Sequence, residues 1–100
     1  TRLVDHASDE LINNINDRNF KIAIVSHSEQ SGERIRTMIV ERFLDKVNNM
    51  VHEDYRNIHD ILETNSRGNI TRLMDKIVTQ QMMEHPMGGY INKFYVDEFS

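Results

Sequence analysis

NFKIAIVSHSEQSGERIRTMIVERFL, residues 19–44, reads as a short strand, a polar turn and the start of a long amphipathic helix. Phe20-Lys21-Ile22-Ala23-Ile24-Val25 is an apolar run rich in β-branched residues. Side chains alternate along a strand, so Phe20, Ile22 and Ile24 share one face and Ala23 and Val25 the other. Apolar residues on both faces predict a strand covered on both sides, inside a layered α/β or α+β domain. Ser26-His27-Ser28-Glu29 fits the S-x-x-E capping pattern, in which a hydroxyl and a carboxylate satisfy the first free helical N–H groups. Ser28 and Ser31 are alternative caps, and Gly32 weakens the first turn. Beyond it Ile35, Met38, Ile39, Phe43 and Val47 recur at helical spacing, with Glu33, Arg34, Arg36, Glu41 and Arg42 mostly around the other side.

On the N-terminal side, Leu3, Val4, Ala7, Leu11, Ile12 and Ile15 mark one face of a helix over Arg2–Asp17, and Asn16-Asp17-Arg18-Asn19 breaks it. On the C-terminal side the long helix's stripe continues through Val51, Tyr55, Ile58 and Leu62. One helix over 29–63 would be about 50 Å long, too long for a compact domain of this size. Asn48-Asn49 are poor helix formers, so the expectation is two helices, Glu29–Asn48 and Val51–Thr64. Asn65-Ser66-Arg67-Gly68-Asn69 reads as a loop, with Gly68 in the left-handed position after a helix and Asn69 capping the next. Ile70, Leu73, Met74, Ile77, Val78, Gln81 and Met82 follow i, i+3, i+4, i+7, i+8 spacing, which predicts a helix ended by His85-Pro86. After Met87-Gly88-Gly89, Tyr90–Asp97 alternates Tyr90, Phe94 and Val96 against Ile91 and Tyr95, so a second strand is expected.

The expected fold is therefore a single helix-dominated α+β domain over residues 1–100, in the order α-β-α-α-α-β, with a small two-stranded sheet. Two strands are marginal alone, so either helices cover them or an edge pairs with a second copy or another protein.

Composition narrows the function classes. With 12 Lys and Arg against 16 Asp and Glu, the net charge of −4 argues against non-specific binding to phosphate backbones, although a local basic patch survives it. The absence of cysteine removes disulfides and thiolate chemistry. No run has membrane-spanning length and no signal-peptide pattern is present, so a soluble cytoplasmic protein without membrane contact is expected. The chain opens on Thr1, which leaves room for a leader or preceding domain.

Three candidate surfaces follow. The turn after the first strand, with Ser26, His27, Ser28, Ser31 and Arg34 around free helical N–H groups, suits a phosphate or nucleotide. It lacks the G-x-x-x-x-G-K-[ST] pattern, Glu29 and Glu33 oppose an anion, and capping explains the serines equally well. Met83, Met87, Tyr90 and Tyr95 form a candidate protein-partner patch, since methionine suits adaptable surfaces; Met74 and Met82 belong to the core. A winged-helix-like C-terminal half, with Thr79–His85 as its recognition element, would bind nucleic acid through Arg67, Arg72, Lys76 and Lys93. That recognition element carries no basic residue.

Metal and catalytic signals are weaker. His52 and His59 lie two helical turns apart, without the i, i+4 pair or cysteines of a zinc helix, so no metal or cofactor is expected. Ser26 and Ser28 flank His27, but sequence neighbours do not make a nucleophile–base pair, and G-x-S-x-G is absent. Phe20-Lys21, Val25-Ser26 and Gly32-Glu33-Arg34 together resemble a segment of the BolA family, small α/β proteins that partner monothiol glutaredoxins. The likeness spans about fifteen residues, and that family's helical loop and C-terminal histidine motif have no counterpart here. No site residue is carried over. The leading expectation is a non-catalytic protein-interaction or regulatory module, homodimeric or bound to a protein partner. A nucleic-acid-binding regulator and an anion- or nucleotide-binding domain are the alternatives.

Overall fold

The computed structural model describes residues 2–49, 66–82 and 90–97. Helix α1 is Arg2–Asn13, strand β1 Ile22–Ser26, helix α2 Glu29–Asn48, helix α3 Ser66–Asp75, strand β2 Ile77–Gln81 and strand β3 Lys93–Val96. The α+β class stands. The two-stranded sheet does not: three parallel strands lie in the order β2-β1-β3, with β1 in the centre.

The third strand comes from the predicted C-terminal helix, whose second half is β2. Ile77-Val78-Thr79 is a β-branched run, and pairing with β1, Ile22 opposite Ile77 through Ser26 opposite Gln81, overrides its helical spacing. The predicted 65–69 loop also gives way, because Ser66–Asn69, Gly68 included, lie inside α3. The second expected strand is shorter than predicted, Lys93–Val96, and pairs with the other edge of β1. The expected helix 51–64 and the His85-Pro86 stop lie outside the described residues.

α2 runs over the residues predicted for it and ends at Asn49, whose N–H bonds back to the carbonyls of Asp45 and Lys46 at 3.2 Å each. Its cap is Ser28, whose hydroxyl accepts the Ser31 N–H at 3.1 Å, in place of the Ser26–Glu29 box. α1 stops four residues early. Asn14 turns its side-chain amide back onto the Glu10 carbonyl at 2.8 Å, the local competition that makes asparagine a poor helix continuer.

One face of the sheet, with Ile22, Ile24, Ile77 and Tyr95, meets the helices. Against it pack Ile39, Val40, Phe43 and Val47 of α2, Val4, Ala7 and Leu11 of α1, and Leu73 of α3. Ile22, Ala23 and Ile24 have no exposure, so β1 is covered on both sides as its composition requires. By alternation the second face carries Ala23, Val25, Val78, Phe94 and Val96.

α1 and α2 are also tied by charge. Lys46 Nζ reaches Asp5 Oδ1 at 2.9 Å and Asp9 Oδ1 at 2.6 Å, and Arg42 Nε reaches Asp5 Oδ1 at 3.0 Å. Among the described residues, no helix is long and apolar enough to cross a membrane.

Candidate functional site

All three strands run parallel, so their carboxyl ends share one edge of the sheet. There the chain leaves β1 at Ser26, turns through His27 and enters α2 at Glu29. Ser26 is almost fully buried and its hydroxyl donates to the Ser28 carbonyl at 2.8 Å, which shapes the turn. Ser28 then caps the helix, and the Gly32 N–H closes the first helical bond to the Ser28 carbonyl at 3.0 Å.

Gly32 sets how closely this turn approaches the strands. A Cβ there would stand 3.0 Å from Ser26 Oγ, 3.1 Å from Thr79 Cβ and 3.3 Å from Thr79 Cγ2. Only a residue without a Cβ lets the first turn of α2 rest directly on the ends of β1 and β2.

Between turn and strand ends lies a cavity of about 230 Å³, lined by Ser26, Ser28, Glu29, Thr79, Gln80 and Gln81. Its walls are hydroxyls, carboxamides and one carboxylate. Beside it, the Asp97 N–H donates to the Val25 carbonyl at 2.8 Å, so Asp97 follows β3 one position beyond the Val25–Val96 pair, next to Ser26. A hydroxyl-bearing turn, a helix N-terminus and the Glu29 carboxylate thus meet at one edge.

Of the residues expected to hold an anion, Ser26 and Ser28 line this cavity. Ser31 gives its N–H to the cap, and Arg34 is exposed further along α2. Glu29 lines it too, the counter-charge expected there. Sequence reasoning missed Thr79, Gln80 and Gln81, which the sheet's pairing brings in from distant chain. The β-branched run at 77–79 was the available signal for them.

The other candidates separate. Met83 and Met87 lie outside the described residues. Tyr90 is exposed, whereas Tyr95 packs against the core, where burial and then the Glu10 carboxylate raise its phenol above the ordinary tyrosine range. Thr79–Gln81, the supposed recognition helix, is strand, so no winged-helix element is built from it. Arg67 and Arg72 sit on α3, whose end leads into Lys76 and β2, and Lys93 opens β3. Lys76 and Lys93 therefore lie at the amino edge of the sheet, opposite the cavity. Lys76 Nζ donates to the Asp17 carbonyl at 3.0 Å. Burial pushes its pKa down, helped by the Lys21 charge and opposed by Asp17. Among the described residues no three His, Asp or Glu side chains converge on a metal position.

No protein-family model, curated protein or solved structure matches this chain.

Proposed function

We propose that this chain binds a phosphate-bearing small ligand of the nucleotide class at the carboxyl edge of its parallel sheet. The observation that carries the reading is the polar cavity framed by Ser26, Ser28, Glu29 and Thr79–Gln81. Ligands of open parallel sheets sit outside the strands' carboxyl ends, where chain connections diverge to either side. β1 is such a point, because its neighbours β2 and β3 lie on opposite sides of it. The first turn of α2 offers N–H groups and the positive end of its dipole to a phosphate.

Glu29 selects among phosphate ligands. A carboxylate repels a bare anion, yet Mg²⁺ is held through one or two carboxylates together with ligand phosphates rather than by a dedicated protein cage. A nucleotide carrying its divalent cation meets both demands, the cation facing the carboxylate and the phosphates facing the helix.

Thermal unfolding with adenosine and guanosine triphosphates, with and without Mg²⁺, tests the reading. Saturating ligand at about 100 times its Kd adds about 2.7 kcal/mol, a rise of many degrees for a chain of this size. The rise should require Mg²⁺ and shrink in Ser28→Ala. A melting temperature unmoved by millimolar nucleotide with Mg²⁺ sinks the proposal.

A second reading, a protein-interaction surface, rests on β3, whose Phe94 and Val96 are 57% and 50% exposed. A contiguous apolar strip on an outer strand invites pairing. Light scattering over a concentration series tests it, and a mass that stays monomeric throughout removes self-association.

A further inference from the structure

The two outer strands of the sheet differ in what they leave open. β2 is at least partly buried along its whole length, whereas β3 shows Lys93, Phe94 and Val96 to solvent. In a parallel pair a residue bonds to the two neighbours of its register partner. Val25, in register with Val96, accordingly takes the Asp97 N–H on its carbonyl at 2.8 Å. Lys93, Tyr95 and Asp97 therefore turn their backbone groups toward β1, and Phe94 and Val96 turn theirs outward. Among the described residues no hydrogen bond reaches those outward groups, and Phe94 and Val96 are 57% and 50% exposed. An edge with unpaired backbone and apolar side chains is a template for another strand.

The residues along this edge select the strand. Lys93-Phe94-Tyr95-Val96-Asp97 is complementary to its own reverse, with a cation at one end, an anion at the other and apolar residues between. Two copies laid antiparallel about a two-fold axis at Tyr95 set Phe94 opposite Val96 of the second copy, and Val96 opposite its Phe94. At both pairs the outward N–H and C=O groups are exchanged. The same register sets Lys93 opposite Asp97 at each end. Opposite residues share a face, so these charges lie on the helix side with Tyr95, and Phe94 and Val96 of both copies form one apolar cluster on the other face. Shifting the register by two residues in either direction parts Lys93 from Asp97. Among the described residues Lys93 joins no salt bridge.

We infer that β3 pairs antiparallel with β3 of a second copy of this chain, which joins two three-stranded sheets into one continuous sheet. The inference deepens the interaction-surface reading of β3 and rests on it. One short strand from each copy makes a small interface, so the dimer is reversible and its population follows concentration.

Sedimentation equilibrium of the full chain over a concentration series, with circular dichroism of every variant to verify the fold, tests the inference. Val96→Pro removes an outward N–H while leaving the bonds to β1 in place, and it should weaken association about tenfold or more. Lys93→Asp and Asp97→Lys each set like charges opposite one another at both ends, and each should weaken association about tenfold. Mixed in equal amounts, these two charge variants should form a heterodimer about as strong as the unaltered homodimer, because attraction is restored at both ends. A dimer indifferent to the three substitutions, or a mixture no stronger than its components, overturns this register while leaving self-association through another surface standing. A chain that stays monomeric up to about 1 mM overturns the inference together with self-association, and leaves the edge to a strand of another protein.

Discussion

Gly32→Ala puts the packing of α2 on the strand ends to a direct test. In an unconstrained helix the change stabilises by up to about 1 kcal/mol, because alanine restricts the unfolded chain and favours helical geometry. Here the new methyl would meet Ser26 Oγ at 3.0 Å and Thr79 Cβ at 3.1 Å. Relaxed carbon–carbon contacts lie near about 3.5–4.0 Å, so the gap must open by roughly 0.4 Å or more. Neither neighbour yields easily. Thr79 Cβ is bonded directly to the strand backbone, and Ser26 Oγ is held on the Ser28 carbonyl. Overpacking of this kind costs about 1–3 kcal/mol. Set against the propensity gain, the net expectation is a destabilisation of about 1 kcal/mol, or about 4–8 °C in Tm for a chain of this length. Urea unfolding followed by circular dichroism reads it. In a Ser26→Ala background, with the shortest contact gone, Gly32→Ala should cost less, by a coupling of about 0.5 kcal/mol or more. If Gly32→Ala instead stabilises the chain by about 1 kcal/mol, α2 does not rest on the strand ends and the account of the cavity fails with it.

Other expectations follow from single contacts. Ser28→Ala removes the cap of α2 and should cost about 0.5–2 kcal/mol in urea unfolding, whereas Ser28→Asn, which also caps, should cost far less. Hydrogen bonds first from Lys46 and then from Arg42 hold the Asp5 carboxyl below its ordinary value of 3.8. Its stabilisation is therefore complete above about pH 4 and lost as pH falls through the lowered pKa, and Asp5→Asn should flatten that part of a stability–pH curve. An unchanged acid limb would show that these exposed ion pairs contribute nothing. Phe43→Ala, at a fully buried position in the centre of the core, should cost about 3–5 kcal/mol, and a loss under about 1 kcal/mol would contradict its placement.

Local signals located the elements that local chemistry controls. α2 begins after a serine cap and ends at Asn48-Asn49, and both limits follow from residues within a turn of the boundary. β1 was legible because five apolar residues in succession, Phe20 and Ile22–Val25 interrupted only by Lys21, have no helical stripe. β2 was not. Residues 70–82 satisfy helical spacing throughout, and only Thr79 opposite Ile24 and its neighbours in register make the second half a strand. That information sits in β1, far away along the chain. The same division holds at the site. Ser26 and Ser28 belong to a turn whose chemistry is visible in four residues, while Thr79–Gln81 reach it only through strand pairing. Arg36 shows the same limit: its Nε donates to the Met74 carbonyl at 3.1 Å, joining α2 to the end of α3, and its sequence setting reads only as solvent.

The central position of β1 has a consequence for how the chain reaches its native state. Both partners of β1 follow it at long range: the bond from Lys21 to Asn92 closes a loop of 71 residues. Such closures are slow, since chain entropy is lost before any contact rewards it. The α1–α2 pair, linked by nearer contacts, covers one face of β1. Both hydrogen-bonding edges of an apolar strand stay open until β2 and β3 arrive, and during synthesis that interval lasts until Lys93–Val96, about 70 residues beyond β1, have emerged. The residues that finish the sheet therefore also end the chain's most aggregation-prone period. Trimming them should lower the soluble yield well before it alters the helices.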